Sequence, residues 1–274
     1  MREEVIVKII NEKGVEAYVK EVRKGDTILN GIVLGNGTIR PTVYLEDYNG
    51  TDEEIAEKMI EVYIKSKIDS FDINQISDYQ QVKNKLQICL RQPTNNDAEV
   101  KRQYLDMEMY IRIMLEEFNN VGKASCIVTK QLIENWEISE DEVFNDAIEN
   151  SKGKLQIKNI LDVLKGMVGA DDFEVLDDNP VQMYVSSNKE MTYGSYCFID
   201  LDFLAKISDK FCKNIYIIPS SIHETLIIPD DDNVNPEELA VMIKSVNSTE
   251  VKLNEILSDH AYYYDRNTNA VTCC

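Results

Sequence analysis

Residues 216–229 read YIIPSSIHETLIIP, two apolar runs joined by a short polar segment that holds one of the two histidines of the chain. Isoleucine-rich runs bounded by turn residues are typical of strands, so the stretch predicts strands at 215–218 and 225–228. His223 and Glu224 lie between these strands. This stretch is therefore the best candidate for a functional site.

Regular structure is predicted on both sides of this stretch. Thr51 and Glu54 have capping-box spacing, which predicts a helix start. Apolar residues at odd positions alternate with mostly charged residues at even positions over 105–113. This pattern predicts a strand whose odd positions are buried and whose even positions face water. Further helices are predicted at 2–11, 132–136, 139–150, 157–168, 201–211 and from 235, and further strands at 16–24, 27–34, 42–45, 85–90, 125–128, 182–186, 195–199, 260–264 and 270–273.

These elements predict an α+β fold with mixed or antiparallel sheets and flanking helices. A change of composition at residues 169–172 divides the chain into an N-terminal lobe, 1–168, and a C-terminal lobe, 169–274. A loop within one continuous domain is the alternative. Residues 125–133 and 196–204 share a weak sequence echo, which would make the two lobes related, although chance similarity explains it as well.

The chain is strongly acidic. Its 274 residues include 29 Lys and Arg against 49 Asp and Glu, a formal net charge of −20. Direct binding to nucleic acid is disfavoured, because such binding depends on cationic side chains that replace the counterions of the phosphates. Two interpretations of the charge stay open: solubility alone, or a surface that imitates nucleic acid and occupies a basic cleft of another protein.

Several classes of protein are not indicated by the sequence. Six cysteines occur without a CxxC pair, so zinc-ribbon spacing is absent. Phosphate-loop and dinucleotide motifs are also missing, and we predict no cofactor. No secretory signal and no apolar segment of membrane-spanning length is present. We therefore expect a cytoplasmic protein without membrane contact.

The candidate chemistry centres on His223. A zincin motif is excluded, because Ile227 stands where the second histidine is required. A hydrolase would pair His223 with Ser220, Ser221 or a cysteine, or would use a metal held by His223, His260 and carboxylates such as Asp259. The competing interpretation is structural: a serine turn whose hydroxyls bond the backbone, with His223 in a buried polar contact. No catalytic or metal residue is assigned, and the binding candidates are His223, Glu224, Asp259, His260 and Tyr263.

Five short segments that together cover most of the chain form a recognisable combination: PTVYLEDY at 41–48, the Ser-x-x-Glu helix ending in AIEN at 147–150, YGS at 193–195, PSSIHE at 219–224 and LSDH at 257–260. In this combination the chain resembles an uncharacterised domain family that is common in gut Firmicutes, and Pro-Ser-Ser-x-His-Glu is the most specific shared element. The resemblance implies one α+β unit of unknown function, in the bacterial cytoplasm or on mobile elements. It brings no established catalytic residues.

The leading prediction is a protein without chemistry of its own that binds another macromolecule, with a protein favoured as the partner, through its acidic surface. A nucleic-acid mimic that inhibits a bacterial defence nuclease is a specific version of this prediction. The rival from another class is the hydrolase built on His223. The sequence leaves the partner and the oligomeric state open.

Overall fold

The computed structural model describes residues 2–24, 27–36, 40–65, 74–118, 122–168, 182–231 and 234–274. They combine helices with three antiparallel sheets, which confirms the predicted α+β fold. The helices are α1 (Arg2–Glu12), α2 (Asp52–Lys65), α3 (Asn74–Ser77), α4 (Tyr79–Val82), α5 (Lys130–Trp136), α6 (Glu140–Ser151), α7 (Ile160–Val168), α8 (Leu201–Phe211) and α9 (Pro236–Thr249), with one-turn 3₁₀ helices at Leu45–Asp47, Lys83–Lys85 and Tyr196–Phe198.

The strands lie in sheets of three, four and six strands. They are β1 (Ala17–Lys24), β2 (Thr27–Leu34), β3 (Thr42–Tyr44), β4 (Leu86–Arg91), β5 (Lys101–Tyr104), β6 (Met107–Phe118), β7 (Gly122–Ile127), β8 (Leu155–Asn159), β9 (Tyr184–Asn188), β10 (Ile215–Ser221), β11 (Glu224–Pro229), β12 (Tyr262–Asp265) and β13 (Ala270–Cys273). The first sheet has the order β1-β2-β3, the second has the order β4-β6-β5 with β7 also paired to β6, and the third has the order β13-β12-β10-β11-β9-β8.

The chain divides into two compact units, one formed by Met1–Val82 with Ile113–Cys126 and the other by Lys83–Arg112 with Ile127–Cys274. The lobe boundary predicted at residues 169–172 lies outside the described residues and stays a prediction. Gly25, Asp26 and Gly37, which the sequence predicts at the ends of strands, lie outside them as well.

The first unit buries one face of α1 and α2 together with residues of β2. The capping box at the start of α2 forms as predicted: Thr51 N donates to Glu54 Oε2 at 2.9 Å, and Glu54 N donates to Thr51 Oγ1 at 3.3 Å. The core of the unit is aliphatic and consists of Ile6, Ile10, Ala17, Ile32, Leu34, Val43, Ile55, Ala56 and Met59.

The second unit is built around β10 and β11, the two strands predicted from residues 216–229. They pair antiparallel from Ile215 opposite Pro229 to Ser221 opposite Glu224. On β10, Ile218 packs with Ile243 of α9 in a small buried cluster. The hairpin therefore occupies the centre of the six-stranded sheet, with β12 paired on one side and β9 on the other.

The single helix predicted at 157–168 is wrong in its first turn. Ile157 pairs with Ser186 in the β8–β9 ladder, and α7 begins only at Ile160. The side chain of Asn159 accepts a hydrogen bond from Leu161 N at 2.9 Å and so marks the helix start. An apolar run does not reveal where pairing with a distant strand ends and a helix begins.

The strand predicted at 195–199 is also wrong, because Tyr196–Phe198 form a buried 3₁₀ turn before α8. The Asp200 side chain accepts from Phe203 N at 3.1 Å and caps that helix. The sequence echo between 125–133 and 196–204 therefore aligns the strand β7 with a 3₁₀ turn.

The strand predicted from residue 105 begins at Met107, since Leu105 and Asp106 form the two-residue turn between β5 and β6. Leu105 adopts the left-handed backbone conformation, with φ of 52°. Across the described ranges, none of the helices has both the length and the apolar character that crossing a membrane requires.

Candidate functional site

His223 lies in the two-residue loop between β10 and β11. Ser221 Oγ accepts from His223 N at 3.0 Å, the hydroxyl-to-backbone bond of a serine turn. The pairing register shifts between Pro219 and Ser221, so the end of the hairpin is irregular. The local sequence thus turns the chain back on itself and places His223 at the tip of the hairpin.

The imidazole and the carbonyl of His223 both bind the polypeptide of β9 and the segment that follows it. Tyr193 N donates to His223 Nδ1 at 3.1 Å, Gly194 N donates to His223 O at 3.0 Å, and Ser187 Oγ donates to the same carbonyl at 2.8 Å. A Cβ atom at Gly194 would lie 2.3 Å from Ser187 Oγ and 2.6 Å from the backbone N of Asn188. Only glycine permits this approach.

The surroundings of His223 favour the neutral imidazole. Burial lowers the pKa of His223 and the nearby Arg112 guanidinium adds to this, whereas the carboxylates of Glu255 and Glu224 act in the opposite direction. Arg112 lies over the Tyr193 ring at 4.3 Å, and that ring is 5.2 Å from the imidazole. Because Nδ1 accepts a hydrogen bond, the neutral ring carries its proton on Nε2.

The serines predicted as nucleophiles are engaged elsewhere. Ser220 Oγ donates to Glu224 Oε1 at 3.2 Å, and Ser221 Oγ is held by the His223 backbone. Within the described ranges, no serine hydroxyl or cysteine thiol is hydrogen-bonded to the His223 ring. Burial raises the pKa of both Cys89 and Cys197 to about 12, so these two thiols are held in the unreactive protonated form. The hairpin therefore positions His223 without giving it a nucleophile.

His260 belongs to a second cluster, centred on the carboxylate of Asp106. Asp106 Oδ2 accepts from Ser258 Oγ at 2.8 Å and lies 2.9 Å from His260 Nδ1. The Tyr262 hydroxyl donates to Asp106 Oδ1 and lies 2.7 Å from Ser258 Oγ. Burial on its own would raise the pKa of Asp106, but the bonds from Tyr262, His260 and Ser258 outweigh burial and hold that pKa below its ordinary value.

Two other predicted binding residues have side-chain partners outside this cluster. Asp259 Oδ1 accepts from Asn247 Nδ2 of α9 at 2.8 Å. The Tyr263 hydroxyl donates to Asp230 Oδ2 and accepts from Asn214 Nδ2, both at 2.8 Å. In the part of the chain that the structure describes, the group of side chains with metal-ligand spacing is Asp106, His260 and Cys273, and it does not include His223.

Glu108 of β6 does not face water, although the alternation of its strand predicts that it should. The residue is buried and contacts two cations, Arg91 at 2.7 Å and Lys101 at 3.3 Å. Arg91 also pairs with Glu99 and lies over the Tyr110 ring at 4.3 Å. The sequence shows these charges but not their partners, because Arg91 comes from another strand of the sheet.

The α9 helix has an apolar surface that sequence reasoning missed. The spacing of four apolar residues in the sequence of this helix predicts one buried face, formed by Leu239, Met242, Ile243 and Val246. Of these four, only Leu239 and Ile243 pack against the sheet. Val241, Met242 and Val246 are 70%, 40% and 43% exposed. A helical wheel that assigns Met242 and Val246 to the core is wrong here, because the buried stripe is narrow and continues to the buried Asn247.

One comparison with known proteins identifies a family. The model of a family of unknown function, DUF5688, matches residues 2–266, nearly the whole chain. Comparison with curated proteins and with solved structures finds no match.

Proposed function

This chain belongs to the family of unknown function DUF5688, and from its own geometry we propose that it is a non-enzymatic protein-binding module. The partner that fits best is a protein that presents a basic amphipathic segment. The segment would lie on α9, with its apolar side on Val241, Met242 and Val246. The observation that carries the proposal is the exposure of these three side chains next to an acidic helix start.

The exposed apolar side chains of α9 lie next to one another. Met242 and Val246 are one helical turn apart, so their side chains form one stripe, and Val241 widens it. Single exposed apolar residues are ordinary, whereas a contiguous group rimmed by polar residues is typical of a contact surface. Polar residues do rim this group, with Ser245 and Glu238 on the same helix.

The charges beside the stripe select a basic partner. Glu237 and Glu238 lie in the first turn of α9, and the sequence of α9 contains a single lysine, Lys244. Glu238 accepts from Asn235 Nδ2 at 3.2 Å, and neither glutamate is ion-paired within the described residues. Their charge is therefore available to a cation of the partner.

The charge of the whole chain favours the same kind of partner. The buried network holds Arg91 and Lys101 against Glu99 and Glu108, so its own charge is balanced. The net charge of −20 is thus carried mainly by the remaining, more exposed groups. A second copy of the chain would bring like charges together, which disfavours self-association through α9.

A synthetic amphipathic helix with leucine on one side and lysine on the other is a suitable probe. We expect it to bind the wild-type protein in fluorescence anisotropy and to bind more weakly as salt is raised. The triple variant V241S/M242S/V246S is expected to weaken binding by about tenfold or more, because each buried aliphatic contact contributes about 1 kcal/mol or more. The double variant E237Q/E238Q is expected to weaken binding chiefly at low salt.

Helix α2 provides the matched controls. It also has acids in its first turn, and its Ile64 is 60% exposed. The variants I64S and E53Q should bind the probe as the wild type does. Equal loss of binding in the α2 and α9 variants, or full binding by the α9 triple variant, would contradict the proposal. Salt-sensitive binding that the α9 variants do not weaken would instead favour a surface that binds by charge alone, as a nucleic-acid mimic does.

A further inference from the structure

We propose that Asp106, His260 and Cys273 form a binding site for a divalent transition-metal ion of the zinc class. The three side chains come from the β5–β6 turn, the segment before β12, and β13. One ligand atom from each residue lies within 4.8 Å of the others. None of these three residues belongs to α9, and the proposal does not depend on the proposed function.

Strand register brings the three residues together. Tyr262 is paired with Cys273 across the β12–β13 ladder, so their side chains share one face of the sheet. The hydroxyl of Tyr262 reaches Asp106 on that face. The ring of His260, two residues before Tyr262, lies beside the same carboxylate, with Nδ1 at 2.9 Å from Oδ2.

The spacing suits a small tetrahedral ion. Bonds of about 2.0 Å to nitrogen or oxygen and about 2.3 Å to sulfur separate neighbouring ligand atoms by roughly 3.3–3.8 Å. The present spacing of at most 4.8 Å requires a movement of about 1 Å. His260 and Cys273 are both exposed, so their side chains have room to move and the ion has an open path.

Neighbouring hydroxyls already orient the carboxylate. Ser258 Oγ and the Tyr262 hydroxyl both bond Asp106, and Ser258 Oγ in turn accepts from His260 N at 3.1 Å. Such outer partners fix the direction of a metal ligand and raise its affinity. The buried Ser258 thereby links two of the three ligands through one hydroxyl.

The donor set selects the class of ion. One carboxylate, one imidazole and one thiolate suit Zn²⁺ and Co²⁺, whereas Mg²⁺ and Ca²⁺ require oxygen ligands. The carboxylate and the thiolate would together balance the two positive charges of the ion. Three protein ligands leave a fourth position for water, the arrangement of an open zinc site.

Cobalt titration under reducing conditions tests the proposal, because Co²⁺ reports both its geometry and its thiolate ligand by absorption. We expect one equivalent to bind, with a thiolate-to-cobalt charge-transfer band, and Zn²⁺ to displace it. C273S should abolish this band. H260A should weaken Co²⁺ binding by at least about tenfold, because removing a residue that only hydrogen-bonds a metal ligand already has an effect of that size. Both substitutions are at exposed positions, and circular dichroism checks that the variants fold.

The neighbouring thiol provides the matched control. Cys274 follows Cys273 directly and is also exposed, but it is not a member of the cluster within the described residues. C274S and C212S should keep the band and the affinity. The proposal would be overturned if Co²⁺ did not bind stoichiometrically or if the band survived C273S. Loss of the band in C274S would also overturn it, because that result identifies a site made by the two adjacent thiols.

Discussion

His223 shows how one residue can join the β10–β11 hairpin to β9 and the segment that follows it. Its ring accepts from the Tyr193 backbone, and its carbonyl accepts from Gly194 and Ser187. The ring can accept at Nδ1 only while that nitrogen is unprotonated. Protonation of Nδ1 would therefore break the hydrogen bond from Tyr193 N and set two N–H groups, that of Tyr193 and that of Nδ1, against each other. It would also place a positive charge near the Arg112 guanidinium.

A pH titration of stability should reveal this penalty. The pKa of His223 in the folded protein lies below the ordinary value of about 6.5, so between these two pH values the unfolded chain binds a proton that the folded chain does not. Stability should fall as pH decreases through that window, and none of the loss should appear above it. H223N keeps an acceptor near the position of Nδ1 and cannot titrate.

Urea unfolding at a series of pH values compares the two proteins. The wild type should lose stability relative to H223N as pH drops below about 6.5. Parallel curves for both proteins across the whole range would show that the imidazole does not titrate differently on folding.

Glu108 of β6 shows what a single strand pattern leaves out. Apolar and mostly charged residues alternate from Leu105 to Ile113, and this alternation predicts that Glu108 faces water. The residue is buried because Arg91 and Lys101, on two other strands, provide its countercharges. Burial of a charge depends on such partners, and no local pattern states which strand supplies them.

Among the elements, the segment after β9 packs closely against the β10–β11 hairpin at Gly194. Gly194 lies where any Cβ would meet Ser187 and the Asn188 backbone. A Cβ at Gly166, in α7, would meet no heavy atom within 4 Å outside its own stretch of helix. The two glycines therefore differ in the space around them, and a methyl group added at each should have a different consequence.

The substitutions G194A and G166A should have opposite effects on stability. In G194A the added methyl group forces the backbone away from the hairpin, and this overpacking should lower the free energy of unfolding by about 2 kcal/mol or more. G166A removes a flexible residue from a helix and should add about 0.4–1 kcal/mol. Thermal and urea unfolding measure both, and equal stability of G194A and the wild type would show that the segment adjusts without cost.

Elements specified by nearby residues are the ones that the sequence predicts well. The capping box Thr51–Glu54 and the β10–β11 hairpin need only neighbours in the chain. By contrast, β8 exists because it pairs with β9, whose residues follow some distance later. The same limit applies to the candidate site: His223 and His260 are evident from the sequence, but Asp106 and Cys273 join His260 only through the β5–β6 turn and the register of β12–β13.

At the scale of the whole molecule, charge is the dominant property. A formal charge of −20 on 274 residues repels itself when the chain is compact, and the repulsion extends over about 30 Å at 10 mM salt but only about 8 Å at 150 mM. The same field would attract a basic partner from a distance and would speed its association. A charge that would serve such binding thus acts against folding at low salt.

Salt should therefore stabilise the free protein at neutral pH. We expect the Tm to rise from low to physiological salt, by about 2–4 °C for each kcal/mol of repulsion that is screened. The variant E16Q/E21Q/E250Q removes three exposed carboxylates that make no ion pair within the described residues, and its Tm should rise less over the same range. Differential scanning calorimetry in NaCl measures the slopes. A Tm that falls with salt would mean that attraction within surface ion pairs such as Arg266–Asp209 outweighs the repulsion between unpaired carboxylates. Equal slopes for both proteins would mean that these three carboxylates do not contribute to the repulsion.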